Sequence, residues 1–306
     1  MKIIPPPLTA GDTIAVVAPA GNVHDPKRYR SGCSVLKGMG FQILSQKQKW
    51  PGEGFLSDHD ERRAQEFMAA WSHPEVKAII ALRGGYGSLR ILDHLDMNII
   101  RNLPKIFVGF SDITILLNHI AHHTNQICLH GPVISSLAAS DKNSIDRLYH
   151  CLMGNWHSQL VEKVEIIRSA PVVSGTLMGG NLSSLVTLLG TKLDSSHQGT
   201  ILFLEDVNEP LYRLDRLLTQ FYLSGKFDGV NGIILGDFSS DQTPDGNGRD
   251  RGQEFVWQRV SELVENPDIP IWGKFPAGHR HQNITLPIGA YCTMDSSKPS
   301  LSFHAG

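Results

Sequence analysis

Five stretches hold residues whose types and spacing could do chemistry. In KIFVGFSDITILLNHI, Lys105 to Ile120, an apolar run reaches Gly109 and Phe110, and Ser111 and Asp112 then open a helix-like pattern. A serine there has two uses. It can cap the helix, accepting a bond from a first-turn amide worth about 1 kcal/mol. It can instead be a nucleophile raised on a tight strand-to-helix turn, where Gly109 permits close approach of the chain. G-F-S-D lacks the second glycine of G-x-S-x-G, and local residues leave the choice open. In RGGYGS (83–88), Gly84 and Gly85 follow another apolar run. Their amides could cradle a phosphate or meet an oxyanion formed beside a nucleophile on a neighbouring strand. They could equally make a plain turn that needs positive φ. The spacing matches neither G-x-G-x-x-G nor G-x-x-x-x-G-K-[ST].

LEDVNE ends an apolar strand with Glu205, Asp206 and Glu209. A carboxylate there can orient a histidine, or simply favour the start of the following helix. AGHRHQN puts His279 and His281 in a loop. NHIAHH puts His119 and His123 on one helical face, but without the glutamate of H-E-x-x-H no metal site is expected.

These residues must be held by the elements around them. TIAVVA (13–18), FQILSQ (41–46), VKAIIAL (76–82) and KIFVGF (105–110) read as strands. Between and after them, 26–40, 57–74, 88–95 and 111–123 read as helices, the second starting at a capping Ser57. This βαβα rhythm predicts a parallel sheet covered on both faces, with ligands outside the carboxyl ends of its strands. Both RGGYGS and GFSD fall at such ends. The rhythm changes near 155–175, which places a boundary there. Beyond it, 201–210 is strand-like, 210–225 helical, 230–238 a strand, 239–252 an exposed loop and 252–265 a helix. Short β-like runs close the chain, giving a mixed α/β second half.

The totals exclude several classes. The 306 residues are 41% hydrophobic and carry a net charge of -2, with no basic stripe for nucleic acid. The four cysteines, Cys33, Cys128, Cys151 and Cys292, are far apart and fit free thiols in a reducing compartment. No signal peptide or membrane span is expected, so a cytoplasmic protein is predicted.

Several motifs occur together in one order: AVVAPAG, LRGGYGSLRIL, VGFSDIT, HGP, GTLMGGNLSSL, LEDVNEPLYRLDR, GIILGDF and AGHRHQNITLPIGA. This set, spanning about residues 10–303, resembles the LD-carboxypeptidase family, also called muramoyltetrapeptide carboxypeptidases. The resemblance implies a flavodoxin-like domain over 1–160 carrying the nucleophile. It also implies a smaller swivelling-type α/β domain over 161–306 carrying Glu and His. The triad becomes Ser111, Glu205 and His279. The oxyanion hole becomes the amides of Gly85 and Asp112, with Gly84 as a possible substitute for Gly85. The resemblance further implies no cofactor, a homodimer, and release of terminal D-alanine from muropeptide tetrapeptides during cell-wall recycling. An exopeptidase must recognise a free carboxylate; Arg83 is assigned that role, with Tyr86 and Asn181 as further substrate contacts. Some relatives instead hydrolyse peptide-nucleotide antibiotics of the microcin C type. A general esterase and a non-catalytic phosphate-binding module complete the alternatives.

Overall fold

The computed structural model describes residues 2–23, 25–45, 50, 52–239 and 248–304. They form two compact units: Met1–Trp156 with His281–Gly289, and His157–Arg280 with Ala290–Gly306.

The first unit runs β1 (Thr13–Val17), α1 (Pro26–Gly38), β2 (Gln42–Ser45), α2 (Asp60–Ser72), β3 (Val76–Ala81), α3 (Ser88–Ile91), α4 (Met97–Asn102), β4 (Ile106–Gly109), α5 (Thr114–Thr124), β5 (Cys128–His130), α6 (Ile134–Leu137) and α7 (Lys142–Leu152). Strands β2-β1-β3-β4-β5 are parallel neighbours in that order. This is the flavodoxin-like order, which reverses direction between β1 and β3. β4 is buried throughout, as are Ile14–Val17 of β1 and Ala78–Ala81 of β3. Such near-continuous apolar runs are what a sheet covered on both faces requires.

A sixth strand, β11 (Leu286–Ile288), pairs antiparallel with β5. Residues 281–289 therefore belong to the first unit, and the boundary falls at 156/157 rather than 160/161. A second domain running unbroken over 161–306 is thus corrected. The physical reason is the three-residue edge strand β5, whose open polar edge β11 covers. NITLPIGAYCTMD reads as one β-rich run, but Gly289 at φ +91 divides it between two sheets.

Ser57 is also corrected. α2 begins at Asp60, and His59 holds the cap position without a side-chain bond. Ser57 is buried and turned inward. Its Oγ donates to the Ala18 carbonyl at 2.6 Å and its N–H to the Ala20 carbonyl at 3.0 Å.

The second unit runs β6 (Glu165–Arg168), β7 (Val173–Asn181), α8 (Leu182–Val186), β8 (Thr200–Val207), α9 (Leu211–Leu223), β9 (Gly232–Ser239), α10 (Gly248–Leu263), β10 (Ile271–Gly273), β12 (Tyr291–Asp295) and β13 (Ser300–His304). The sheet order is β13-β12-β7-β8-β9-β10-β6. β7, β8, β9 and β10 are parallel, and β12, β13 and β6 run antiparallel to their neighbours. Of the loop expected over 239–252, residues 240–247 lie outside the described residues, and α10 has already begun at Gly248.

Candidate active site

In the first unit, β3 and β4 are adjacent, so the segments leaving their carboxyl ends emerge side by side. The chain leaves β4 through Phe110 in extended conformation and enters Ser111 at φ +62. A non-glycine residue held there costs of order 1–3 kcal/mol, and such residues cluster at functional sites. The cap position before this turn is Phe110, without a side-chain cap bond, and α5 itself is preceded by Ile113. Ser111 is therefore no N-cap; it is partly exposed at the elbow.

The loop leaving β3 lies directly on that serine. A Cβ added at Gly84 would sit 2.6 Å from Ser111 Cβ and 2.8 Å from Ser111 Oγ. Gly85 adopts φ +106. Two buried groups brace the loop from behind. Asp112, the residue after the serine, accepts the Ser88 N–H at 2.8 Å, and burial raises its carboxyl pKa against that bond. The fully buried Arg63 donates to the carbonyls of Gly87 at 3.0 Å, Asp58 at 3.1 Å and Pro19. On the outer side, exposed Arg83 donates to the Asn22 carbonyl at 2.8 Å. Tyr86 meets Phe55 edge-on at 5.2 Å, and both rings are exposed.

In the second unit, Glu205 lies near the end of β8, fully buried. Its Oε2 is 2.7 Å from Nδ1 of His279, whose side chain is 18% exposed. A carboxylate only accepts, so the proton sits on Nδ1 and Nε2 is left as the basic nitrogen. Burial pulls the imidazole pKa down. The Glu205 charge and hydrogen bond, with Asp206 and Asp237 behind it, outweigh burial and carry it above the ordinary histidine value. Asp206 serves a different purpose. It accepts from Ser183 N–H and Oγ at 2.8 and 2.6 Å and from Asn181 Nδ2 at 3.1 Å. Burial, then the neighbouring Glu205 charge, push its pKa up to about 6. Asn181 also caps α8 by accepting Ser184 N–H at 3.0 Å, so its amide is engaged at both ends.

The loop carrying His279 is pinned to the end of β9. Asp237 N–H donates to the Ala277 carbonyl at 3.1 Å, and Asp237 Oδ1 accepts Arg280 Nε at 2.6 Å. Between them, a Cβ at Gly278 would lie 3.0 Å from Glu205 Oε2 and 3.1 Å from Asp237 Cβ, so only glycine lets the loop come this close.

The remaining candidates have local uses. Glu209 pairs with Arg213 at 3.1 Å, one turn on, at the start of α9. His281 belongs to the first unit, where its Nδ1 meets the Ala139 carbonyl at 2.9 Å. His119 and His123 stack at 4.1 Å, and burial, with the two neighbouring histidines, pushes the His119 pKa down to about 4.

The first unit thus brings Gly84 against Ser111, and the second pairs the buried Glu205 with His279. Sequence reasoning passed over Asp237, Arg280 and Arg63. The first two stand inside GIILGDF and AGHRHQN, and an aspartate ending a buried strand was an available signal. Arg63 gave none, because its carbonyl partners come from distant turns.

Residues 14–131 match the family model described as the LD-carboxypeptidase N-terminal domain, and residues 174–294 match the LD-carboxypeptidase C-terminal domain. The chain is 32% identical to a Bacillus subtilis protein named "Probable murein peptide carboxypeptidase", over 99% of this chain and 94% of that one. It is 28% identical to the Escherichia coli Microcin C7 self-immunity protein, over 97% and 94%. The crystal structure of muramoyltetrapeptide carboxypeptidase from Oxalobacter formigenes superposes with a TM-score of 0.80 at 31% identity, covering 95% and 97%.

Proposed function

The chain belongs to the LD-carboxypeptidase family, and from that premise we propose that it is a serine carboxypeptidase releasing terminal D-alanine from muropeptide tetrapeptides. One observation carries the serine reading: Ser111 is held at φ +62 on a strand-to-helix elbow with Gly84 against its side chain. Strain of this kind is kept where the surroundings over-determine it, and an exposed nucleophile is its common use.

Ser111 Oγ attacks the carbonyl carbon of the L,D amide bond while its proton passes to His279 Nε2. Glu205 holds the Nδ1–H tautomer and stabilises the imidazolium. The amides of Gly85 and Asp112 donate to the oxyanion, each such donor being worth about 3 kcal/mol; Gly84 is the alternative to Gly85. The C–N bond then breaks, His279 gives its proton to the leaving amine, and D-alanine departs. Water, deprotonated by His279, cleaves the acyl-serine ester. Arg83 and Tyr86 stand on the outer side of the glycine loop and make substrate contacts there. Asn181, held by Asp206 and at the start of α8, is the further polar substrate contact. No metal or cofactor enters these steps.

We place the enzyme in the cytoplasm, consistent with four buried free thiols. No described helix is long and apolar enough to cross a membrane. We expect a homodimer, which light scattering of the eluting protein tests.

Mass spectrometry of a tetrapeptide muropeptide after incubation tests the main reading. The expected product has lost one alanine with wild type and none with Ser111→Ala. A second reading, hydrolysis of a microcin-type peptide nucleotide, is favoured by the similarity to the Microcin C7 self-immunity protein. Turnover of an aminoacyl-nucleotide analogue with no turnover of the muropeptide would select it instead.

A further inference from the structure

We propose that Arg280 recognises the carboxylate of the residue that leaves, and that Asp237 holds it in place to do so. The inference rests on the carboxypeptidase reading. His279 protonates the amine of the departing residue, and in that residue the carboxylate is one carbon away from the amine. A cation that reads it must therefore lie close beside His279.

Arg280 is the next residue in the chain, and the two side chains are anchored on adjacent strands. Glu205 on β8 anchors the imidazole at 2.7 Å. Asp237 on the adjacent strand β9 anchors the guanidinium at 2.6 Å. Both anchors converge on Gly278, where an added Cβ would be 3.0 Å from Glu205 Oε2 and 3.1 Å from Asp237 Cβ.

The anchoring uses only part of the guanidinium. Asp237 is almost fully buried and takes Nε. Among the described residues, Nη1 and Nη2 make no hydrogen bond, and the Arg280 side chain is 41% exposed. A guanidinium tethered at Nε keeps its two terminal amino groups parallel, the fork that fits a carboxylate in bidentate fashion. Holding the side chain beforehand also lowers the ordering cost when substrate arrives. Arg83 offers less: its Nη1 is committed to the Asn22 carbonyl, and it belongs to the other unit from His279.

Arg280 is therefore a specificity-determining residue for exopeptidase action, and Asp237 a positioning residue. The test compares two substrates, a tetrapeptide with a free terminal carboxylate and the same peptide ending in D-alaninamide. Wild type is expected to prefer the acid. In Arg280→Gln, kcat/KM for the acid is expected to fall about 10- to 100-fold, the loss of a charge-assisted bidentate contact. The acid-to-amide preference should collapse by a similar factor. Arg280→Lys should recover part of that preference through charge alone. Asp237→Asn should raise KM for the acid more than it lowers kcat.

An unchanged acid-to-amide ratio in Arg280→Gln overturns the inference, as does a collapse of the ratio in Arg83→Gln instead. Equal losses on both substrates also overturn it, since they mark disturbance of His279 rather than recognition. Failure of the underlying reading looks different: wild type would release no alanine, or Ser111→Ala would still release it.

Discussion

The two units hold Ser111 and His279 by opposite physics, Ser111 at the carboxyl end of β4 and His279 on a loop pinned to β9. In the first, Ser111 is fixed by backbone conformation. A positive φ, a glycine with no room for Cβ and a loop braced by carbonyl and amide bonds set its place. In the second, His279 is fixed by charge: the buried Glu205 holds the ring, and Asp206 and Asp237 stand behind it. Shape governs where Ser111 stands, and electrostatics governs how basic His279 is. Changes in the first unit should therefore alter rates without moving pH dependence; changes in the second should move both.

The largest effects remove the reacting atoms. Ser111→Ala and His279→Ala are each expected to lower kcat about 10⁴- to 10⁶-fold, as in serine hydrolases whose triads act as one unit. The double variant should be little worse than either, which single-turnover assays can read. Near wild-type turnover in His279→Ala would remove the second unit from the comparison.

Glu205→Gln comes next, at about 10⁴-fold in kcat. The base must be neutral to act, so wild-type kcat/KM should rise with pH through a limb above the ordinary histidine value of about 6.5. Taking away the Glu205 charge favours the neutral ring and moves that limb down. A limb left in place would mean that charge does not set the basicity of His279.

Gly84→Ala sharpens the other side. The added methyl collides with Ser111, and a displacement of about 1 Å at a reacting group costs on the order of 100-fold in rate. The pH limb should stay where it is. Asp112→Ala, which orphans the Ser88 N–H, should cost about 1–3 kcal/mol in urea unfolding. The smallest effect on stability has the opposite sign. Ser111→Gly relieves the left-handed strain and should stabilise the fold by about 0.5–1 kcal/mol while abolishing turnover.

The sequence made much of this legible. Apolar runs bounded by turns located β1, β3 and β4, because strands buried on both faces leave an uninterrupted pattern. The ordered motifs pointed to Ser111, Glu205 and His279. Less legible were features that arise only when distant segments meet. The φ of Ser111 cannot be read from G-F-S-D, since most serines before helices are caps. Ser57 resembled a cap and is an inward brace for the turn after β1. The bond of Asn181 to Asp206 likewise joins segments that the spacing of the sequence does not bring together. His279 and His281 stand two residues apart yet belong to different units, because the chain changes sheets between them.

That change of sheets has a consequence for how the protein is made. On the ribosome, every parallel strand of the first sheet has emerged once His130 is out, but the segment that seals its β5 edge is 286–288. The whole of 157–280 must be synthesised while that edge stays open, at rates of about 5–20 residues per second. For many seconds the nascent chain therefore carries an unsealed strand, which is an invitation to wrong pairing. A gene fragment ending at residue 156 would keep that exposure permanently, so the first unit is expected to be soluble on its own only when 281–289 is spliced back onto it.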